Sequence, residues 1–473
     1  MTDAAAIRAP SVVPDRQGLN AFAANAGCPA FRPGEDGYEE AIRIWNAMIE
    51  RRPALVVRPG APGDVAQCVR FAREGGLPLS VRGGGHNIAG TALCERGLID
   101  LSPQKEVRLD PATGRVRVQP GAAWADVDRE TQPHGLVVPG GIVSTTGVAG
   151  FTLGGGFGWV SRRHGFAADN LVGAEIVTAD GSVLQASAKE NPDLFWAIRG
   201  GGGNFGIVTS FEFEARPHGP EVVAGLVLHP MSRAKEVLGL FREMTGEASD
   251  RLTCVLIMRK APPLPILPKE VHGAPVAGVA VCYSGPLEEG EEAVSPIKRF
   301  GKPLADTIGR KPFTAHQQFL DGGQPFGRRY YWKSEYLDAL PEATDETVIR
   351  HAGAATSPHS ALLVMHLGGA AARIPEGATA VGNRRAELVF NIQGSWEDPA
   401  EDERHIGWAR DFWSAIQPFS SGGTYVNFLT QDAGEDRVLA AYGPELYGRL
   451  AKVKAKYDPH NLFRSNQNIR PAA

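Results

Sequence analysis

The chain has 473 residues, enough for two or three domains at about 150 residues each, and 49 Lys+Arg against 53 Asp+Glu leave a formal charge of −4. That balance offers no basic footprint for nucleic acid or an anionic membrane, and no apolar run approaches the ~18 residues of a membrane span. The opening MTDAAAIRAP lacks a basic-then-apolar leader, and five scattered cysteines without a Cys-x-x-Cys pair argue against a disulfide framework or zinc site, so a reducing cytoplasm is the expected setting.

Residues 1–35 mix Ala, Pro and Gly without periodicity and read as a surface arm. Ile42, Trp45, Met48 and Ile49 recur at helical spacing, which predicts a helix from Tyr38 to Ile49. A strand at Leu55–Val57, a helix at Pro62–Glu74 and a strand at Leu79–Arg82 follow, and this unit runs into Gly83-Gly84-Gly85-His86. Strands are expected at Gly97–Leu101 and Arg115–Gln119, then a helix at Trp124–Thr131 and a second glycine cluster over Gly147–Gly158. An Asp180-Gly181 turn joins strands Glu175–Thr178 and Ser182–Ala186. A helix at Asn191–Arg199 leads into the third cluster, Gly200–Gly203, and then the strand Ile207–Phe213.

Beyond a Pro/Gly boundary at Ala215–Pro220 the texture changes. Strands are predicted at Val222–Leu228, Leu252–Met258, Val276–Cys282, Leu362–His366 and Leu388–Ile392, with helices at Ala234–Thr245, Thr344–His351 and Glu401–Ile416. A sheet backed by helices on one face is the natural packing for this series. After Gly422-Gly423 the tail carries a strand and helices at Glu435–Tyr442 and Pro444–Lys456. The organisation expected is 1–218, 219–423 and 424–473.

The 57 glycines, about 12% of the chain against a usual ~7%, are the informative excess. Gly201-x-Gly203-x-x-Gly206 matches a dinucleotide fingerprint formally, but a helix precedes it and a strand follows. That order is the reverse of a nicotinamide-type site, which needs strand, turn, then helix. Three consecutive glycines in VRGGGHN, read alone, fit either a tight turn with a surface histidine or peptide N–H groups aimed at an anion. Three such loops within 200 residues favour a wrapped diphosphate cofactor.

VRGGGH, GVAGFTLGGGFGW with RRHGFAADNLVGAEIVTADG, and DLFWAIRGGGGNFGIVT resemble the FAD-binding domain of the vanillyl-alcohol-oxidase/PCMH superfamily. The tail YVNF…YGPELYGRLAKVKAKYDPHNLFRSNQNI is similar to that of its berberine-bridge-enzyme-like branch. The resemblance implies an α+β, two-domain PCMH-type fold: an FAD domain built from the N-terminal part plus the tail, and an inserted α/β substrate domain with an antiparallel sheet backed by helices. It further implies FAD held by Arg82, Gly83, Gly84, Gly85, His86 and Asn87 in the first loop. The second contributes Ser144, Thr145, Thr146, Gly147, Gly150, Gly154, Gly155 and Gly158, and Asn170, Gly206, Ile207, Val208, Tyr425 and Asn427 complete the set. His86 stands where the family attaches its flavin covalently. Many members carry a second link through a Cys, but Val143 holds that position, so one covalent bond is expected.

Family chemistry is hydride transfer to the flavin with a base removing a proton. The usual tyrosine position is Phe428 in Tyr425-Val426-Asn427-Phe428, and the stretch aligned with the usual glutamate begins at Ala378, so both bases are missing. The remaining catalytic candidates are Tyr330 and Tyr331 in GRRYYWKS, only one of which strand alternation turns toward the flavin, together with His366 and Tyr425. Each has a plain alternative as a packing residue. Thr146, at the position beside the flavin that gates O2, is small and favours an oxidase.

The resulting expectation is a cytoplasmic FAD-dependent oxidase of a small alcohol, sugar, amine or activated C–H compound. O2 is the acceptor, and neither nucleic acid nor membrane is a partner. A dehydrogenase serving a quinone or protein acceptor and a non-catalytic flavin carrier are the alternatives.

Overall fold

The computed structural model describes residues 27–263 and 265–473; the predicted arm lies outside the described residues as far as residue 26. Two sheets build the first lobe. Leu55–Val57 and Leu79–Arg82 both run parallel to Gly97–Asp100 between them, with Ala30–Phe31 antiparallel at the edge. A five-stranded antiparallel sheet follows, in the order Val107–Asp110, Arg115–Val118, Ile207–Glu214, Leu171–Val177, Val183–Ser187.

The helix Pro62–Glu74 is fixed at its start by Asp64, whose carboxylate accepts the Gly60 and Ala61 N–H groups at 3.1 and 3.0 Å. Its apolar stripe of Val65, Cys68, Val69 and Ala72 packs with Leu55 and Ile99 of one sheet and Val177 and Ile207 of the other. The helix therefore joins the two sheets.

The second lobe is an eight-stranded antiparallel sheet in the order Ala305–Asp306, Glu221–Pro230, Pro275–Tyr283, Leu252–Lys260, Ala361–His366, Leu388–Trp396, Arg329–Leu337, with Gly309–Pro312 also on Glu221–Pro230. Its strands are buried on both faces, and the two-residue period sorts them. Cys254, Leu256 and Met258 pack with the helices Ala234–Gly246, Asp345–Gly353 and Asp402–Ile416. Val255 and Ile257 face Phe157, Trp159 and Tyr425, which come from the 157–159 loop and the tail. The tail helix Pro444–Tyr457 returns to the first lobe, where Leu450 and Val453 pack with Trp124 and Phe211.

Two predicted elements differ. The helix expected to run to Ile49 stops at Ile42. Trp45 is needed elsewhere: its amide donates to Gly85 O at 2.9 Å and its indole to Gln324 O at 3.0 Å. Asn46, buried, donates to Ile88 O and Tyr330 O, both at 2.9 Å, and splices the lobes together. These non-local bonds outweigh helical periodicity. The strand expected in the tail is a single 3₁₀ turn, Val426–Phe428, because the Asn427 side chain is drawn back to Phe151 O.

Candidate active site

The three glycine loops converge on one cavity of about 640 Å3, within the range of small-molecule sites. The first and second loops touch backbone to backbone: a Cβ on Gly84 would lie 2.4 Å from Gly147 Cα. A Cβ on Gly83 would meet Pro120 O at 2.5 Å. At Gly150 and Gly203, by contrast, a Cβ would meet nothing within 4 Å, and both line the cavity. Some glycines thus permit close crossing, and others leave the cavity wall bare.

Gly83, Gly84, Gly85, His86, Asn87, Thr146, Gly147, Gly150, Gly206, Ile207, Val208, Tyr425 and Asn427 all reach the wall, as does Val143. Arg82, Ser144, Thr145, Gly154, Gly155, Gly158 and Asn170 do not. Arg82 donates to Ala41 O at 2.5 Å, while Asn170 donates to His164 O and Phe166 O. Ser144 gives its N–H and O–H to Asp321 at 2.8 and 2.5 Å, strapping the second loop to the other lobe. A Cβ on Gly154 would strike Asn427, and one on Gly158 would strike Gly140 O.

His86 stacks on Trp45 with ring centroids 4.5 Å apart, and its buried Nε2 has no hydrogen-bond partner. Burial pushes its pKa down to about 4, so the ring is neutral near pH 7. A neutral imidazole with an unengaged nitrogen beside a bare glycine wall fits a group bonded to it. The donor set suits a flavin dinucleotide: backbone N–H groups for the phosphates, one nucleophilic nitrogen for the ring.

Of the four catalytic candidates only Tyr425 lies on the cavity. Its hydroxyl accepts hydrogen bonds from Gly156 N–H at 3.0 Å and Asn427 Nδ2 at 2.8 Å, and burial raises its pKa. It therefore keeps its proton near neutrality, which suits it to donate a hydrogen bond and not to serve as a base. Tyr330 and Trp332 share a face, but Trp45 covers Tyr330 at 3.6 Å and its hydroxyl is spent on Pro325 O. Tyr331 turns to the helix side, donating to Asp432 at 2.6 Å. His366 also lies off the wall, with Nε2 2.8 Å from Arg162 Nη1. Burial and that guanidinium push its pKa down to about 3, which removes it as a base near neutrality.

The stretch from Ala378 also lies off the wall, beside Trp196, whose indole donates to Gly377 O. A carboxylate there would face no substrate. Phe428 is on the wall, where a phenol could have acted. Trp332, Gln393, Arg259 and His359 line the cavity without having been picked out from sequence. One signal was readable: Asn391, Gln393 and Ser395 alternate with Phe390 and Ile392 in a buried strand, the pattern of a sheet face that meets something polar.

Among the described residues, no cluster of His, Cys, Asp and Glu suits a metal ion, and no helix is long and apolar enough to cross a membrane. Residues 53–187 match a family model described as an FAD binding domain, and 424–470 match one described as berberine and berberine like. An FAD-linked oxidoreductase of Dictyostelium discoideum is 31% identical over 462 residues, covering 96% of this chain and 97% of that protein. (R)-6-hydroxynicotine oxidase of Paenarthrobacter nicotinovorans is 29% identical, covering 93% and 96%. The structure resembles that of 6-hydroxy-D-nicotine oxidase from Arthrobacter nicotinovorans, with TM-score 0.85 and 27% identity over 94% of this chain and 98% of that one. By these family matches and the 31% identity along nearly its whole length, the chain belongs to the berberine-bridge-enzyme-like FAD-linked oxidoreductases.

Proposed function

We propose that this enzyme is an oxidase that removes a hydride and a proton from a small organic alcohol, amine or activated C–H compound, with O2 as final acceptor and H2O2 as the second product. The observation that carries the reading is the convergence of three glycine loops and one unengaged imidazole on a cavity closed by the second lobe's sheet. When bound, FAD supplies the two-electron acceptor chemistry.

The chain's own residues divide the remaining work. The 83–85, 147–150 and 202–206 segments bind the cofactor, and His86 tethers it through a single covalent bond. Val143, on the wall, has no sulfur with which to form another. Thr146, a small side chain on the cavity wall, would leave room for O2 next to the bound cofactor. The Tyr425 hydroxyl orients a polar group by donating its proton. Ile257, Leu363, Met365 and Trp332 give the substrate side an apolar, water-excluding floor. The free thiols of all five cysteines fit a reducing, cytoplasmic setting.

Acid precipitation of wild type and His86→Ala tests the tether. Flavin is expected to stay with the denatured wild-type chain and to wash out of the variant. Retention in the variant would defeat the single-bond assignment. Peroxide yield per substrate oxidised tests the acceptor, and reduced enzyme that persists in air for minutes would remove O2 from that role.

A further inference from the structure

Resting on that oxidase reading, we propose that the substrate-domain wall selects a substrate carrying a carboxylate or similar anionic group, held by Arg259 and Arg328 beside His359. Among the described residues, none of those lining the cavity is Asp or Glu, whereas these two arginines and this histidine are all on it.

Strand register brings Arg259 there. Arg259 pairs with Ala361, Ala361 with Gln393, and Gln393 with Trp332, a row across four strands whose side chains all face the cavity. The neighbouring row supplies Ile257 opposite Leu363. A polar row thus borders an apolar floor, the surface that an amphiphilic acid requires.

The positive charge is under-compensated. Arg259 spends Nε on Lys260 O at 3.1 Å and Nη2 on Pro358 O at 3.5 Å, and no carboxylate pairs with it among the described residues. Arg328 Nε is buried without a partner. Its Nη2 lies 3.6 Å from Glu397, and His359 Nε2 lies 3.4 Å from the same carboxylate, which is 71% exposed. One solvent-facing acid thus serves two of the three basic groups and leaves Arg259 without a carboxylate. Burial and the nearby Arg328 both lower the Arg259 pKa, as expected for like charges held together in a half-dry wall. A guanidinium fork matches a carboxylate's two oxygens.

The cofactor's phosphates are a poorer match for this cluster. The bare backbone that suits a diphosphate comes from the first lobe, while Arg259, Arg328 and His359 come from the second.

Calorimetry on the purified holoenzyme at low salt, with benzoate and phenylacetate against benzamide and phenylacetamide, tests the proposal. The acids are expected to bind at least about tenfold more tightly. The R259Q/R328Q double variant should lose that preference while keeping its flavin-to-protein ratio, and R259K/R328K should keep most of it. Equal binding of acids and amides, or an unchanged preference in R259Q/R328Q, overturns the proposal. Loss of flavin from that variant also overturns it, by giving the arginines to the cofactor. Failure of the oxidase reading registers separately, as a colourless protein or absent turnover, because calorimetry reads the anion site in either case.

Discussion

At the scale of single residues, the glycines on this cavity do two different jobs, and the same substitution separates them. Ala at position 84 would put a methyl 2.4 Å from Gly147 Cα, a contact with backbone that no rotamer relieves. Gly84→Ala is therefore expected to force the two loops apart, lowering both Tm and flavin content. Ala at 150 meets nothing within 4 Å and sits in the helix Val148–Leu153, where Ala outperforms Gly by about 0.5–1 kcal/mol. Its methyl would occupy open space on the cavity wall, where the proposed cofactor would lie. Gly150→Ala should leave the flavin-free protein as stable as wild type or slightly more so, yet reduce flavin uptake. Thermal melts of both variants with and without added FAD decide the matter. A Gly150→Ala protein that loads flavin normally would mean that this stretch of wall never meets the cofactor.

At the scale of elements, the third glycine loop is held by the tail. Lys454, buried in the helix Pro444–Tyr457, donates to Asn204 O at 2.7 Å, Asp458 Oδ2 at 2.6 Å and Phe463 O at 2.9 Å. Asp458 in turn accepts the Leu462 and Phe463 N–H groups at 2.7 and 2.9 Å. Lys454→Met would strand that carboxylate and release Asn204, which lines the cavity. A loss of roughly 3–5 kcal/mol in denaturant unfolding is expected, with faster cofactor release if the tether at His86 is also removed. Adding Asp458→Asn should recover part of the loss. Elements of this kind show what the sequence made legible. Long periodic segments such as Pro62–Glu74 and Ala234–Gly246 announced themselves through their own spacing, and the glycine loops through composition. The helix end at Ile42 depends on partners 42 to 284 positions from Asn46, and the cavity roles of Arg259 and Gln393 on strand register that a single strand does not encode. Tyr330 illustrates the limit: alternation turns only one of Tyr330 and Tyr331 toward the flavin side without saying which, and only the position of Trp45 shows that Tyr330 is already covered.

At the scale of the whole molecule, the seam between the lobes carries a built-in sensitivity to acid. His316 packs against Trp159 with ring centroids 4.3 Å apart, and His218 packs on Phe313; both imidazoles are buried with neither nitrogen hydrogen-bonded. Burial pushes His316 down to about 3, with Lys311 adding to the effect, and His218 down to about 4, with Arg163 adding. His164, beside His218, is pushed to about 3 by burial and by Arg163, and His366 likewise by burial and Arg162. In the unfolded chain each titrates near 6.5, so between pH 6.5 and about 4 the unfolded state binds more protons than the folded one. Stability is therefore complete above pH 6.5 and falls as pH drops, by up to about 1.4 kcal/mol per pH unit for each histidine. Guanidinium unfolding at pH 7, 6 and 5 should show the midpoint dropping steadily, and His316→Phe, which removes one of these protonations, should flatten the slope. A wild-type midpoint constant from pH 7 to 5 would mean that these imidazoles are reached by water and protons in the folded enzyme. The lobes would then not be sealed against each other as the packing of Trp159, His316 and Phe313 requires.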